Sequence, residues 1–173
     1  FILFDTHTYK YKELTDSDRI KMFTDKKIIR KNRTDKNGNQ WILAGRNTLV
    51  RINNDSITTL TEKEGIQKDI GYIGIYVDSK DRVWLTSSKG LFLWNGTAMM
   101  PYPGMETEPF FPGNGQGNLL IEDSQGSIWA ASRRGLAYLE PGTDRFYFLP
   151  ENVNHQAQNI SGIREDREKN IWL

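Results

Sequence analysis

The sequence predicts an all-β fold, built from consecutive four-stranded blades of a β-propeller. Three observations carry that expectation. Four of the five tryptophans in the 173-residue chain fall at positions 41, 84, 129 and 172, spaced 43, 45 and 43 residues apart. Six residues before each stands an aspartate: Asp35, Asp78, Asp123 and Asp166. Around these anchors lie short apolar runs bounded by turn residues, and their length suits strands rather than helices. Four strands in about 44 residues is the size and content of one propeller blade.

Taken in order, each unit opens with an apolar run, Ile73–Val77, Leu119–Ile121 or Ile160–Ile163. The turn that follows reads DKNGNQW, DSKDRVW, DSQGSIW or DREKNIW. Aspartate opens it, and the residue three later is Gly38, Asp81, Gly126 or Lys169, close to the Asp-first, Gly-fourth preference of a type I turn. The tryptophan begins the second strand. Its large apolar area suits an anchor between neighbouring blades. A second tight turn comes next, ending at Asn47, Gly90 or Gly135, residue types that tolerate positive φ. Third strands are expected at Thr48–Ile52, Leu91–Trp94 and Leu136–Leu139. Weaker fourth strands follow around Ser56–Leu60, Thr97–Tyr102 and Arg145–Leu149.

The phase of the ends fits three whole units plus two complementary halves. Phe1–Phe4 aligns with Leu91–Trp94, so the chain opens in a third strand, and it stops at Trp172–Leu173, at the start of a second. The expectation is a single domain over 1–173, an open arc of a larger propeller; closure of the two ends into a four-bladed ring is the alternative. A start at Phe1 inside a strand reads as a piece of a longer protein.

Composition narrows the function classes. The formal net charge is +1, with acids and bases interspersed, whereas a nucleic-acid binder carries a clear basic excess. With no cysteine, neither a disulfide framework nor a thiolate metal site can form. No apolar run approaches the ~20 residues that cross a bilayer as a helix.

The pattern D-x-x-G-x-[IV]-W followed by Gly-Leu resembles the two-component regulator propeller repeat. It is clearest in Leu120–Trp129 with Gly135-Leu136, and in Ile163–Trp172. Unit one departs from it at Asn32 and at Asn47-Thr48, and unit two at Asp81. The resemblance implies a periplasmic sensor region of a hybrid two-component histidine kinase that recognises a glycan fragment. The expected partners are an oligosaccharide or other small ligand and the remaining blades and signalling domains of the parent, with homodimerisation as a further option. Kinase and receiver chemistry would lie elsewhere in that parent.

The four aspartates recur at turn-opening positions in separate blades, which gives each a local structural task and argues against a metal site. His155, near Glu151, evokes propeller lyases, but a surface loop explains it; His7 also sits in a turn-like context. No G-x-S-x-G or His-x-x-x-His pattern occurs. The expectation is therefore a non-catalytic binding module without cofactor or metal, the rivals being a protein-interaction propeller and a propeller lyase. For a ligand, the candidate residues are Arg46, Lys89, Arg133 and Arg134 at the hairpin tips between second and third strands. Tyr72, Tyr102, Phe110 and Phe111 are the candidate stacking rings. Glu62, Glu64, Asp69, Glu106 and Glu108 in the connections between blades are expected to blunt the charge of that rim.

Overall fold

A computed structural model describes residues 2–5, 10–13, 29–45, 47–53, 56–110, 118–154 and 160–173. Three four-stranded antiparallel meanders form its body. Strands β1 (Ile2–Asp5) and β2 (Lys10–Glu13) form a hairpin. Strands β3 (Ile29–Thr34), β4 (Gln40–Ala44), β5 (Thr48–Asn53) and β6 (Ser56–Leu60) form blade one. Blade two is β7 (Tyr72–Val77), β8 (Val83–Ser87), β9 (Leu91–Trp94) and β10 (Met99–Pro101). Blade three is β11 (Leu120–Glu122), β12 (Ile128–Ser132), β13 (Gly135–Leu139) and β14 (Tyr147–Phe148). Strands β15 (Arg164–Glu165) and β16 (Ile171–Trp172) pair as a two-stranded inner half of a further unit.

The hairpins between first and second strands form because one aspartate satisfies most of the turn. Gly38, Asp81, Gly126 and Lys169 donate their N–H to the carbonyl of the aspartate three residues earlier, at 3.0, 3.0, 3.0 and 3.2 Å. All four have positive φ, between 66° and 84°. That is the three-residue hairpin with a left-handed final residue. At the tip between second and third strands of blade one, Gly45 has positive φ (62°), which glycine adopts without a Cβ clash. Gly90 is required for another reason: a Cβ there would lie 2.5 Å from Met105 O.

Two expectations shift further along the chain. The run Ile160–Ile163 is not a strand; pairing begins at Arg164, while Ile160 and Ile163 are buried. Part of the supposed loop around His155 is a short helix, α1 (Glu151–Asn154). A 3₁₀ turn at Glu62–Glu64 is capped by Thr61, whose own backbone N–H donates to Glu64 Oε2 at 2.7 Å. The signal was the Thr-x-x-Glu capping box.

Among the described residues the two larger core clusters lie between blades, and a smaller one of Ile42, Val50 and Ile52 belongs to blade one. One cluster joins Trp41, Leu43 and Leu49 of blade one to Tyr72, Leu85 and Phe92 of blade two. A second joins Trp84 and Leu91 of blade two to Leu120, Ile128 and Leu136 of blade three, with Tyr102, Phe110, Phe146 and Ile163. Innermost strands β3, β7 and β11 contact one another in sequence, so the blades stack face to face around their inner edges.

Candidate functional site

The tips between second and third strands meet the connections between blades, as the repeat requires. Ser88 donates its N–H to Gly71 O (2.9 Å), Phe110 to Ser87 O (2.9 Å) and Arg133 to Pro109 O (2.8 Å). Asn47 Nδ2 reaches Lys68 O at 2.9 Å. Ser87 Oγ accepts from the N–H groups of Lys89 and Gly90 and rigidifies its tip. Lys89, Arg133 and Arg134 are exposed on this rim.

The rim is not a free basic surface. Lys89 Nζ pairs with Asp69 at 2.5 Å, and both side chains are more than half exposed. Asp69 is held below the usual carboxylate range chiefly by its hydrogen bond from Lys89. Arg134 Nη1 lies 3.4 Å from Glu108, with its guanidinium 4.1 Å from the Phe148 ring centre. Glu62, likewise exposed, is lowered first by the hydrogen bond from Lys68. Exposed pairs such as Lys89–Asp69 and Lys68–Glu62 stabilise little and can reopen for a ligand.

The stacking expectation needs correction. Tyr72, Tyr102 and Phe110 are buried in the clusters between blades. Tyr72 lies edge-on to Phe92 (5.8 Å), and Tyr102 packs on Trp84 (5.1 Å). Burial pushes both phenols up from their ordinary pKa. Tyr102 and Phe110 turn inward because aromatic rings gain more from the core than from water. Arg46, Phe111, His7 and His155 lie outside the described residues.

The repeat aspartates and tryptophans form one device. Asp78 Oδ1 accepts from the N–H groups of Lys80 (3.0 Å) and Arg82 (2.8 Å), and Oδ2 accepts from Trp84 Nε1 (2.9 Å) and Arg82 Nε (2.6 Å). Asp35, Asp123 and Asp166 receive the indole N–H of Trp41, Trp129 and Trp172 at 2.9, 2.7 and 2.6 Å. The carboxylate shapes the turn and satisfies the indole donor of the same unit. The constant six-residue spacing held this link, although sequence reasoning treated the two residues separately.

A latch between blades escaped sequence reasoning. Glu122 accepts from Ser79 N and Oγ, both at 2.6 Å, and Glu165 accepts from Ser124 N and Oγ, both at 2.8 Å. In each case the residue after one repeat aspartate is held by the acid just before the next. Blade two has Val77 at that acid position, and Asp81 takes over: it accepts from Lys36 N at 2.7 Å and Asn37 Nδ2 at 3.2 Å. This explains an aspartate at a left-handed turn position. The available signal was the pair Glu122-Asp123, repeated as Glu165-Asp166.

Among the described residues, no group of three His, Cys, Asp or Glu is placed to hold a metal ion. No protein-family model matches the chain, and no curated protein matches it. Solved structures are similar to it. Over 99% of its length it matches 23% of the extracellular domain of a candidate one-component system from B. thetaiotaomicron, with 18% identity and a TM-score of 0.66. Over 83% it matches 20% of the extracellular domain of a candidate hybrid two-component system from the same organism, with 23% identity and a TM-score of 0.61. A third match, again to the extracellular domain of a candidate hybrid two-component system of that organism, has 18% identity, 84% and 20% coverage and a TM-score of 0.59. The chain thus spans under a quarter of the structures it matches. Together with its own repeated meanders, this likeness places the chain among β-propeller folds as a run of consecutive blades.

Proposed function

We propose that the chain is part of a ligand-sensing, extracytoplasmic propeller of a hybrid two-component system, which recognises an oligosaccharide and regulates a distant histidine kinase. The observation that supports this most is the likeness, along 99% of the chain, to an extracellular domain of a candidate signalling system. The D-x-x-G-x-[IV]-W repeats point the same way. In this reading the chain is non-catalytic, lies in the periplasm and acts with the remaining blades and signalling domains of its parent. Ligand binding to one face biases the arrangement of those domains and so the kinase.

The proposed contact surface is the rim of Lys89, Arg133 and Arg134, with Arg46 as a further member. Lysine and arginine suit acidic or hydroxyl groups of a sugar. Calorimetric titration of the parent ectodomain with acidic and neutral oligosaccharides tests this. Arg133→Ala with Arg134→Ala is expected to weaken the best ligand at least tenfold. Unchanged affinity removes the rim from the proposal.

A further inference from the structure

Repetition separates two kinds of basic residue on the rim. The tip between second and third strands reads Ala44-Gly45-Arg46-Asn47 in blade one, Ser87-Ser88-Lys89-Gly90 in blade two and Ser132-Arg133-Arg134-Gly135 in blade three. Its third position is basic every time. Its second position is Gly45, Ser88 or Arg133, so only blade three carries a charge there.

The third position has a task in the fold. Lys89 Nζ pairs with Asp69 at 2.5 Å, and Arg134 Nη1 lies 3.4 Å from Glu108. Each acid belongs to the connection that enters the blade from the one before it. The basic residue therefore ties that connection to the tip. The second position shares the task through its backbone: Ser88 donates its N–H to Gly71 O at 2.9 Å, and Arg133 donates to Pro109 O at 2.8 Å. Ser88 adds its side chain, since its Oγ accepts from Gly71 N at 3.2 Å. Arg133 adds nothing of the kind. Its side chain is exposed and makes no hydrogen bond or ion pair among the described residues.

A serine thus serves the fold at this position, as blade two shows, and the guanidinium of Arg133 brings five donors that the tip does not use. The backbone beneath it is fixed by Pro109 O and by Ser132 Oγ, which accepts from Arg134 N at 3.3 Å. A cation on a fixed tip costs less to order when a partner arrives. Unlike Lys89 and Arg134, it has no ion pair to break first.

We infer that Arg133 is the residue of the rim that grips the ligand, and that its partner is a carboxylate or sulfate carried by a sugar. The planar guanidinium matches either group bidentately. Lys89 and Arg134 shape the rim by holding the connections in place. This inference rests on the sensor reading and narrows it to an acidic saccharide.

The test is calorimetry on the parent ectodomain with three tetrasaccharides: oligogalacturonate, chondroitin sulfate and neutral cellotetraose. At least one acidic probe is expected to bind, and cellotetraose is expected to bind more weakly. Arg133→Ser, which installs the residue of blade two, is expected to weaken the acidic probe roughly tenfold or more and to melt with the unchanged ectodomain. Arg134→Ala is expected to lose about fivefold less affinity than Arg133→Ser, and to speed hydrogen exchange at the Phe110 and Arg133 amides, which close the connection onto the tips. Unchanged affinity in Arg133→Ser overturns the inference, as does an equal loss in Arg134→Ala. If Arg133→Ser binds normally while Arg133→Ala with Arg134→Ala does not, the assignment to Arg133 falls and the sensor reading stands. Binding of cellotetraose alone likewise overturns the inference and leaves the sensor reading standing. Absence of binding by all three removes both.

Discussion

Trp84 and Trp172 occupy the same position of the repeat and differ in almost everything but one bond. Each donates its indole N–H to the aspartate six residues earlier, at 2.9 and 2.6 Å. Yet Trp84 is fully buried and Trp172 is 62% exposed. Trp84 is covered by the sheet that follows it, with Phe146 edge-on at 6.3 Å and Tyr102 beside it. Trp41 is covered likewise, by Trp94 of blade two at 5.3 Å. Trp129, whose ring lies 5.3 Å from that of Tyr138 in its own sheet, is half-buried. The clasp between aspartate and indole is therefore a property of seven consecutive residues. Burial of the ring is a property of the neighbouring sheet.

The largest effect expected from this contrast is on stability. Trp84→Ala should cost about 3–5 kcal/mol, as removal of a large core side chain does. Trp172→Ala should stay within about 0.5 kcal/mol, as exposed substitutions do. Denaturant unfolding of the two variants checks this; equal losses would mean that the clasp, and not burial, carries the energy. Next comes the clasp itself. Asp78→Ala leaves a buried indole donor and two turn N–H groups without their acceptor and should cost about 1–3 kcal/mol. If that variant unfolds like the parent chain, the turn forms without its carboxylate.

Smaller effects separate the two non-glycine residues at the left-handed turn position. Lys169 has φ of 68° and Asp81 has φ of 66°. Lys169→Gly should stabilise by up to about 1 kcal/mol, since a left-handed conformation strains a residue with a Cβ. Asp81→Gly relieves the same strain but loses the latch to Lys36 and Asn37, so it should gain less or lose. Equal gains at both positions would show that the latch contributes nothing.

The smallest effect is one of pH at the exposed clasp. Asp166 is held below the usual carboxylate range, first by the Trp172 indole and then by Asn170. A depressed folded pKa means that its contribution is present above the ordinary Asp value of about 3.9. It is lost as pH falls through the folded value. The indole N–H resonance of Trp172 should hold its position down to that range and shift only below it. A shift centred above the ordinary Asp value would show that the clasp does not stabilise the carboxylate.

Much of the fold was legible because a repeat states its rule several times. The aspartate, the turn residue three later and the tryptophan six later mark every unit, and the strands flanking them follow by length and apolar content. The weakest unit was the last, where Ile160 and Ile163 read as a strand because they are apolar. They are buried as core residues ahead of the pairing at Arg164, and apolar character alone does not separate those roles. The candidate site was less legible. Tyr102 and Phe110 sit in a proline-rich connection that looks exposed, yet their rings complete the core around Trp84. The partners of Lys89 and Arg134 are separated from them by 20 and 26 residues, a pairing that no local pattern announces.

The sequence by itself determined the blade unit, because Asp-to-turn and Asp-to-indole hydrogen bonds close within seven residues and need no other part of the chain. It also determined which tips share a rim, since alternation of strand direction fixes that. Only the tertiary structure decided which tryptophans are buried and that Asp81 replaces an acid missing before Asp78. Those depend on how neighbouring sheets meet, and contacts across 40 or more residues are set by stacking geometry that a repeat pattern does not encode.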